Sequence, residues 1–352
     1  MNPFTYKRAA NQKEAVREVA GNRDAKFLAG GTNLIDLMKV GVQTPNQLVD
    51  INHLALKKIE RIPGGLRIGA LATNTEVAVN KIVRENYPVL SEAILAGASP
   101  QLRNMATIGG NLLQRTRCYY FMDTAFPCNK RVPGSGCPAI PGYNHIHAIL
   151  GASDQCIATH PSDMCVALVA LDAVIRVEGA RGARQIPIAD FHRLPGDTPH
   201  IDTNLQPDEL IVAIDLPATS FAKRSRYLKI RERAQYAFAL VSVAAAMDIA
   251  NGRINTARLV LGSVAHKPWR AKEAEKILTG AQATSATYAA AAEAAVRGAV
   301  AQKHNAYKIE LTKRAVVRLL DEVANGTTRV AMIEEIEENE ANEANETQGG
   351  AA

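Results

Sequence analysis

The sequence predicts an α+β protein built in successive units, and three observations carry that reading. Lys26-Phe27-Leu28-Ala29 reads as a short buried strand that breaks at once into Gly30-Gly31-Thr32-Asn33 and a helical apolar pattern. From Ala173 to Pro217 the pattern is rich in strands. Beyond Arg224, strand patterns are followed by helical ones, the arrangement of a compact α+β domain. At 352 residues, 47% hydrophobic and 22% charged, the chain has the length for two or three domains and the composition of an ordered protein.

The first unit spans residues 1–60. Gln12 to Ala20 has helical spacing, Leu34, Ile35, Leu37 and Met38 mark a second helix, and Leu48-Val49-Asp50-Ile51 is a strand. The second unit, 61–222, opens with the strand Leu66–Ala70. A helix from Asn74 to about Glu85 follows, capped by Thr73 or Asn74, and another starts at Pro88. Gly97 to Arg103 is expected as loop, and Thr107-Ile108-Gly109-Gly110-Asn111 as a strand-like run ending in a double glycine. Val174–Val177, Gln185–Ile188 and Leu210–Pro217 are strands. The third unit, 223–328, has strands at Tyr227–Ile230, Ala239–Ile249 and Ile254–Gly262, the last after an Asn251-Gly252 hairpin signal. Helices are expected at Ala271–Leu278, Thr284–Ala301 and Tyr307–Val323. Residues 329–352, with Glu334, Glu335, Glu337, Glu338, Glu340, Glu343 and Glu346, form an acidic tail expected to be disordered.

That tail makes the body more basic than the net charge of +6 suggests. Scattered Lys and Arg, 5% aromatic residues and the lack of a recognition motif argue against nucleic acid. A surface for acidic partners or an anionic cofactor is the better reading. No run of 18 apolar residues suggests a membrane span, and Met1–Arg8 has no apolar core of a signal peptide. The expected location is the cytoplasm, or the periplasm by co-export with a signal-bearing partner.

A strand, a glycine turn and a helix start make a phosphate site. Glycine lets backbone N–H groups approach the anion, and the unpaired amides of the first turn point at it. On Gly30-Gly31-Thr32-Asn33 alone an ordinary capped turn is the more economical reading. Two such corners, the second at Gly109-Gly110-Asn111, suggest a ligand with a long pyrophosphate held from two sides.

Between Asn111 and Ser162 lie Cys118, Cys128, Cys137 and Cys156, in a segment dominated by loop formers such as Pro133, Gly134, Ser135 and Gly136. A loop this long inside a domain needs some other restraint. Disulfides suit a secreted protein and rank third. Structural zinc lacks its tight C-x2–4-C pair, although His145, His147 and His160 are near, and an iron–sulfur cluster accepts varied spacing. Spacing leaves zinc and cluster equal. Cys165 stands apart and reads as a buried core thiol.

Taken together, Lys26–Leu34, Ala106–Asn111, Ser162-Asp163 with Ala170-Leu171-Asp172-Ala173, and Glu209-Leu210-Ile211 with Lys229 resemble the flavin-binding subunits of molybdenum-containing hydroxylases. This is the xanthine dehydrogenase and carbon monoxide dehydrogenase group. The resemblance runs from Phe4 to about Val323. It implies a two-part FAD-binding domain of the PCMH/vanillyl-alcohol-oxidase-like type, followed by the small α+β domain. Through Arg115–Cys118, Pro127–Arg131, Pro133–Cys137 and Cys156–Pro161 the chain is similar to a subset, the three-subunit periplasmic aldehyde oxidoreductases. Their flavin subunit carries a [4Fe–4S] cluster in an insertion, here at about 115–158. The 4-hydroxybenzoyl-CoA reductase type also carries a cluster on this subunit, and a purine or N-heterocycle hydroxylase is a further alternative. A zinc-stapled, partner-binding protein is the non-enzyme alternative.

The resemblance implies FAD contacts at Lys26, Phe27, Leu28, Ala29, Gly30, Gly31, Thr32, Asn33, Leu34, Thr107, Ile108, Gly110, Asn111, Ser162, Asp163, Ile211 and Lys229. It gives cluster ligation to Cys118, Cys128, Cys137 and Cys156. It also implies a large molybdopterin-binding partner that oxidises the substrate and a small [2Fe–2S] partner that feeds electrons to FAD. Chemistry on the substrate is expected on the large partner. The missing second dinucleotide fingerprint favours an acceptor other than NAD. Tyr236 and Phe238 either shield the flavin ring or fill the core.

Overall fold

The computed structural model describes residues 1–326 except Gln235, so the acidic tail lies outside the described residues. Among the described residues three sheets follow one another along the chain. The first contains β1 (Thr5–Arg8), β2 (Ala25–Leu28) and β3 (Gln47–Asp50), all parallel in the order β1-β3-β2. Helix Gln12–Ala20 makes the crossover, and Asn11 starts it by accepting from the Glu14 amide.

The second sheet holds β4 (Ile59–Ile62), β5 (Gly65–Gly69), β6 (Val174–Gly179), β7 (Gly182–Pro187) and β8 (Leu210–Pro217). Its strands are antiparallel in the order β4-β5-β8-β6-β7. The long excursion between β5 and β6 carries the helices Pro88–Ala96 and Asp163–Ala170, whose apolar faces share one core with Ile68, Ile175 and Ile214. The helix expected from Asn74 to Glu85 is two, Asn74–Val79 and Lys81–Asn86. Asn80 breaks it, because its side-chain oxygen accepts from the amides of Ile82 and Val83 and caps a new helix. Within the expected loop 97–103, Ser99 caps one helical turn, Pro100–Arg103.

The third sheet is β9 (Ser225–Ile230), β10 (Val241–Ala250), β11 (Arg253–Gly262) and β12 (Trp269–Arg270), antiparallel in the order β12-β11-β10-β9. Asn251 and Gly252, with φ of 51° and 73°, close the β10–β11 hairpin as the sequence predicts. Helices Lys272–Leu278, Ser285–Ala295 and Tyr307–Asn325 cover one face. The middle one ends at Ala295, short of the expected Ala301, and Gly298 at φ 79° follows.

The segment 115–158 contains one short helix, Tyr119–Met122. Side chains bonded to backbone hold it. Arg131 donates to the carbonyls of Tyr120 and Phe121 at 2.6 and 2.7 Å, and the Asn129 oxygen accepts from the Gly136 amide at 2.7 Å. Asn129 also donates to Gln155 O at 3.0 Å. Leu37, Phe121 and Ile157 give the segment a small core of its own. From the third unit, Lys308 donates to His147 O at 2.9 Å and to Ser263 O at 2.5 Å, while Asn305 donates to His147 O at 3.1 Å.

Candidate functional site

A cavity of about 1390 Å³ opens where the first two sheets, segment 115–158 and β9 meet. The glycine corner after β2 forms one wall. At Gly30 an added Cβ would lie 1.8 Å from the Met105 carbonyl oxygen, so this corner packs directly against the chain leading into the second one. Gly31 has φ 72°, a backbone setting that glycine adopts without strain. The amides of Gly30, Gly31, Thr32 and Asn33 donate to no acceptor among the described residues. The buried Asn33 Nδ2 also lacks a partner. Four open backbone donors at a helix start, and one open side-chain amide, suit an anionic oxygen-rich ligand. Lys26, Phe27, Leu28, Ala29 and Leu34 continue the same wall.

The second corner is built differently from the expected strand. Thr107 caps the helix Ile108–Leu112, and its hydroxyl accepts from the Gly110 amide at 3.2 Å. Ile108 N donates to Ala72 O and Gly109 N to Ala70 O, at 3.0 and 2.8 Å. The β-branched Thr-Ile pair resembles a strand, but a threonine before a helix turn is equally a cap. Thr107, Gly110 and Asn111 line the cavity, whereas Ile108 is buried in the core and does not. Ser162 lies behind the wall: its hydroxyl donates to Asn111 Oδ1 at 2.6 Å and caps the helix at Asp163–Ala170.

Asp163, Lys229 and Ile211 reach the cavity from three elements. Asp163 accepts from Lys229 Nζ at 2.8 Å and from the Tyr227 hydroxyl at 2.5 Å, and Lys229 also donates to Ala96 O. Burial, then the adjacent Asp163 charge, pushes the Tyr227 hydroxyl well above its ordinary range, which keeps it a donor. Tyr236 and Phe238 line the cavity while staying about half exposed, so they are not core aromatics. Arg115 and Arg117, just ahead of Cys118 in the chain, also line it and were not among the expected contacts. Burial and then the Arg115 charge lower the Lys26 pKa. The signal for these arginines was their nearness to the second glycine pair.

Behind this wall Cys118, Cys128, Cys137 and Cys156 surround one small cavity, and all four are free thiols. Burial pushes Cys118 up to about 12 and Cys156 up to about 11, so a metal binding here must displace protons. Nitrogen atoms already face sulfur: His147 Nε2 lies 3.1 Å from Cys118 Sγ, and the Ala158 amide donates to Cys156 Sγ at 3.5 Å. His145 points elsewhere, to Glu232 and Tyr307, and His160 packs on His192 at 4.3 Å between ring centres. Of the three candidate zinc histidines only His147 joins the thiols. Cys165 is fully buried in the main core.

Residues 2–219 match the family described as FAD binding domain in molybdopterin dehydrogenase, and 226–323 match the CO dehydrogenase flavoprotein C-terminal domain. This chain is an FAD-binding subunit of the molybdenum hydroxylase family. It is 52% identical over 325 residues to the Escherichia coli K12 aldehyde oxidoreductase FAD-binding subunit PaoB, covering 92% of this chain and 98% of that protein. It is 32% identical to the glyceraldehyde dehydrogenase medium chain of Sulfolobus acidocaldarius, covering 79% and 81% of the two chains. Among solved structures, carbon monoxide dehydrogenase from Hydrogenophaga pseudoflava matches with a TM-score of 0.71 and 27% identity, over 91% of this chain and 96% of that one. The FAD-binding and C-terminal α+β parts expected from the resemblance are therefore the fold of this oxidoreductase subunit. No helix among the described residues is long and apolar enough to cross a membrane.

Proposed function

We propose that this chain is the flavin subunit of a molybdenum-containing aldehyde oxidoreductase, and that it holds a [4Fe–4S] cluster beside its FAD. The observation that carries the FAD assignment to this cavity is the set of unpaired amides at Gly30–Asn33, with the open Asn33 amide beside them. They would receive pyrophosphate oxygens, with Lys26 and Arg115 offsetting the charge. Thr107 and Asn111 would close the opposite side, and Asp163, oriented by Lys229 and Tyr227, would accept from a hydroxyl or ring N–H. Ile211 and Leu34 would exclude water. FAD supplies conversion of one-electron supply into two-electron delivery.

The donor set at Cys118, Cys128, Cys137 and Cys156 suits a cluster: four converging thiols, a backbone N–H and an imidazole nitrogen facing sulfur, and a buried lysine, Lys130, beside them. The similarity to an aldehyde oxidoreductase subunit and to a glyceraldehyde dehydrogenase chain supports an aldehyde as substrate of the complex. Substrate oxidation then belongs to a molybdopterin-binding large partner, with a [2Fe–2S] small partner between. The acceptor is one other than NAD.

The test is co-purification with the partner subunits, followed by flavin, iron and zinc analysis. One FAD and four irons in this chain are expected, and C137S should lose the iron while keeping the flavin. Zinc in place of iron, or a colourless chain, sinks the proposal.

A further inference from the structure

Lys130 lies two residues beyond Cys128, and its side chain is 1% exposed. An ammonium so deep needs an acceptor for each of its three protons. It has them: Pro199 O at 2.9 Å, Asp202 Oδ1, and His266 Nε2 at 2.6 Å. His266 Nδ1 lies 2.9 Å from Arg193 O, so the ring proton sits on Nδ1 and Nε2 is free to accept. The other Asp202 oxygen accepts from Arg115 Nε at 2.8 Å.

This chain of charges has two ends. Lys130 lines the small cavity ringed by the four cysteines, and Arg115 and Asp202 line the large cavity at the glycine corner. The Arg115 amide donates to Asn33 Oδ1 at 3.3 Å, which carries the connection to the first corner itself.

We propose that Lys130 is the cation that sets the reduction potential of the metal centre held by Cys118, Cys128, Cys137 and Cys156, and that Asp202 moderates it from the flavin side. This rests on the cluster reading above. Reduction adds one electron, and so one negative charge, to a centre surrounded by four thiolates. A fixed positive charge in the same low-dielectric wall favours the reduced form and raises the potential. Asp202 opposes that effect, and Arg115 partly offsets Asp202. The arrangement also makes the two cavities electrostatically dependent on each other, because one carboxylate bonds to a cation from each.

The experiment is a mediated redox titration of the intact complex, followed by electron paramagnetic resonance, on K130M, K130R and D202N. In K130M the reduced-to-oxidised ratio at the wild-type midpoint should fall about tenfold or more. K130R should stay near wild type. D202N keeps the shape and removes the negative charge, so its ratio should shift toward the reduced form. Iron and flavin content are measured on every sample. Unmoved midpoints in iron-replete K130M and D202N overturn the proposal. If K130M alone loses iron, the D202N shift decides. Iron lost from both makes the pair a structural staple only, which also overturns it. A wild-type chain without iron refutes the cluster reading instead, a different and separately visible result.

Discussion

Gly30-Gly31 and Gly109-Gly110 read alike, each a glycine pair with an asparagine close behind, yet they are built for different work. At the first, the amides of residues 30–33 stay open and Asn33 Nδ2 is unpartnered. At the second, the amides of Ile108 and Gly109 are bonded to Ala72 and Ala70, Gly110 N meets Thr107, and Asn111 is engaged by Ser162 and Gln114. The first corner is a set of donors waiting for a ligand. The second is a structural joint that offers a wall. Glycine is needed for space at one and for close packing at both, so residue type alone cannot separate the two roles.

Substitutions should expose that difference. The largest effect is expected for G30A, whose methyl would meet the Met105 carbonyl oxygen at 1.8 Å, with backbone on both sides unable to yield. About 3 kcal/mol of stability and most of the bound flavin should go; an unchanged melting temperature and flavin ratio contradict this.

Acid should strike the second corner too. Burial lowers His192 to about 4, and its Nε2 holds Leu112 O at 2.9 Å at the end of the 108–112 helix. The unfolded chain takes up this proton near pH 6.5 and the folded one only near 4. Stability present above about 6.5 is therefore lost as pH falls towards 4, by about 3 kcal/mol. Urea unfolding at pH 7 and pH 4.5 measures it, and H192Q, which retains an N–H, should reduce the difference by the His192 share, leaving that of the buried His147, His160 and His266.

N33A should weaken flavin retention by about 1–3 kcal/mol, since its Nδ2 is open to the ligand, and should cost the flavin-free melt only the long bond from the Arg115 amide to its Oδ1, under about 1 kcal/mol. N111A should show the opposite balance, costing about 1 kcal/mol of stability through Ser162 and Gln114 and weakening flavin retention less than N33A does. Equal behaviour of the two asparagines in flavin titrations and melts removes the contrast. The smallest change is expected for G110A, where the nearest atom to a new methyl is Thr107 Oγ1 at 3.1 Å and the backbone is helical. Under about 1 kcal/mol in either direction should appear in a thermal melt.

Much of this architecture was legible in the residues. β8 ends at Pro217 as its apolar run predicts, the Asn251-Gly252 hairpin closes where expected, and the four cysteines converge. The Asn80 break was hidden because its cause is one side chain turning onto two amides inside an otherwise helical pattern. Thr107-Ile108 misled because β-branching fits both a strand and a capped turn. Lys130, Asp202 and His266 were invisible as a group. They lie on three segments, and only folding reveals that a lysine among glycines and prolines is buried.

Lys308, in the last helix of the described residues, and Asn305, just before that helix, fasten residues 146–148. The cysteine segment leaves the ribosome long before these two residues are made. Its thiols are thus in place, yet without their final anchor, until synthesis has passed Lys308. Final ordering of the cysteine pocket therefore waits on a late part of the chain, and a chain truncated before that helix would present the four thiols without this anchor.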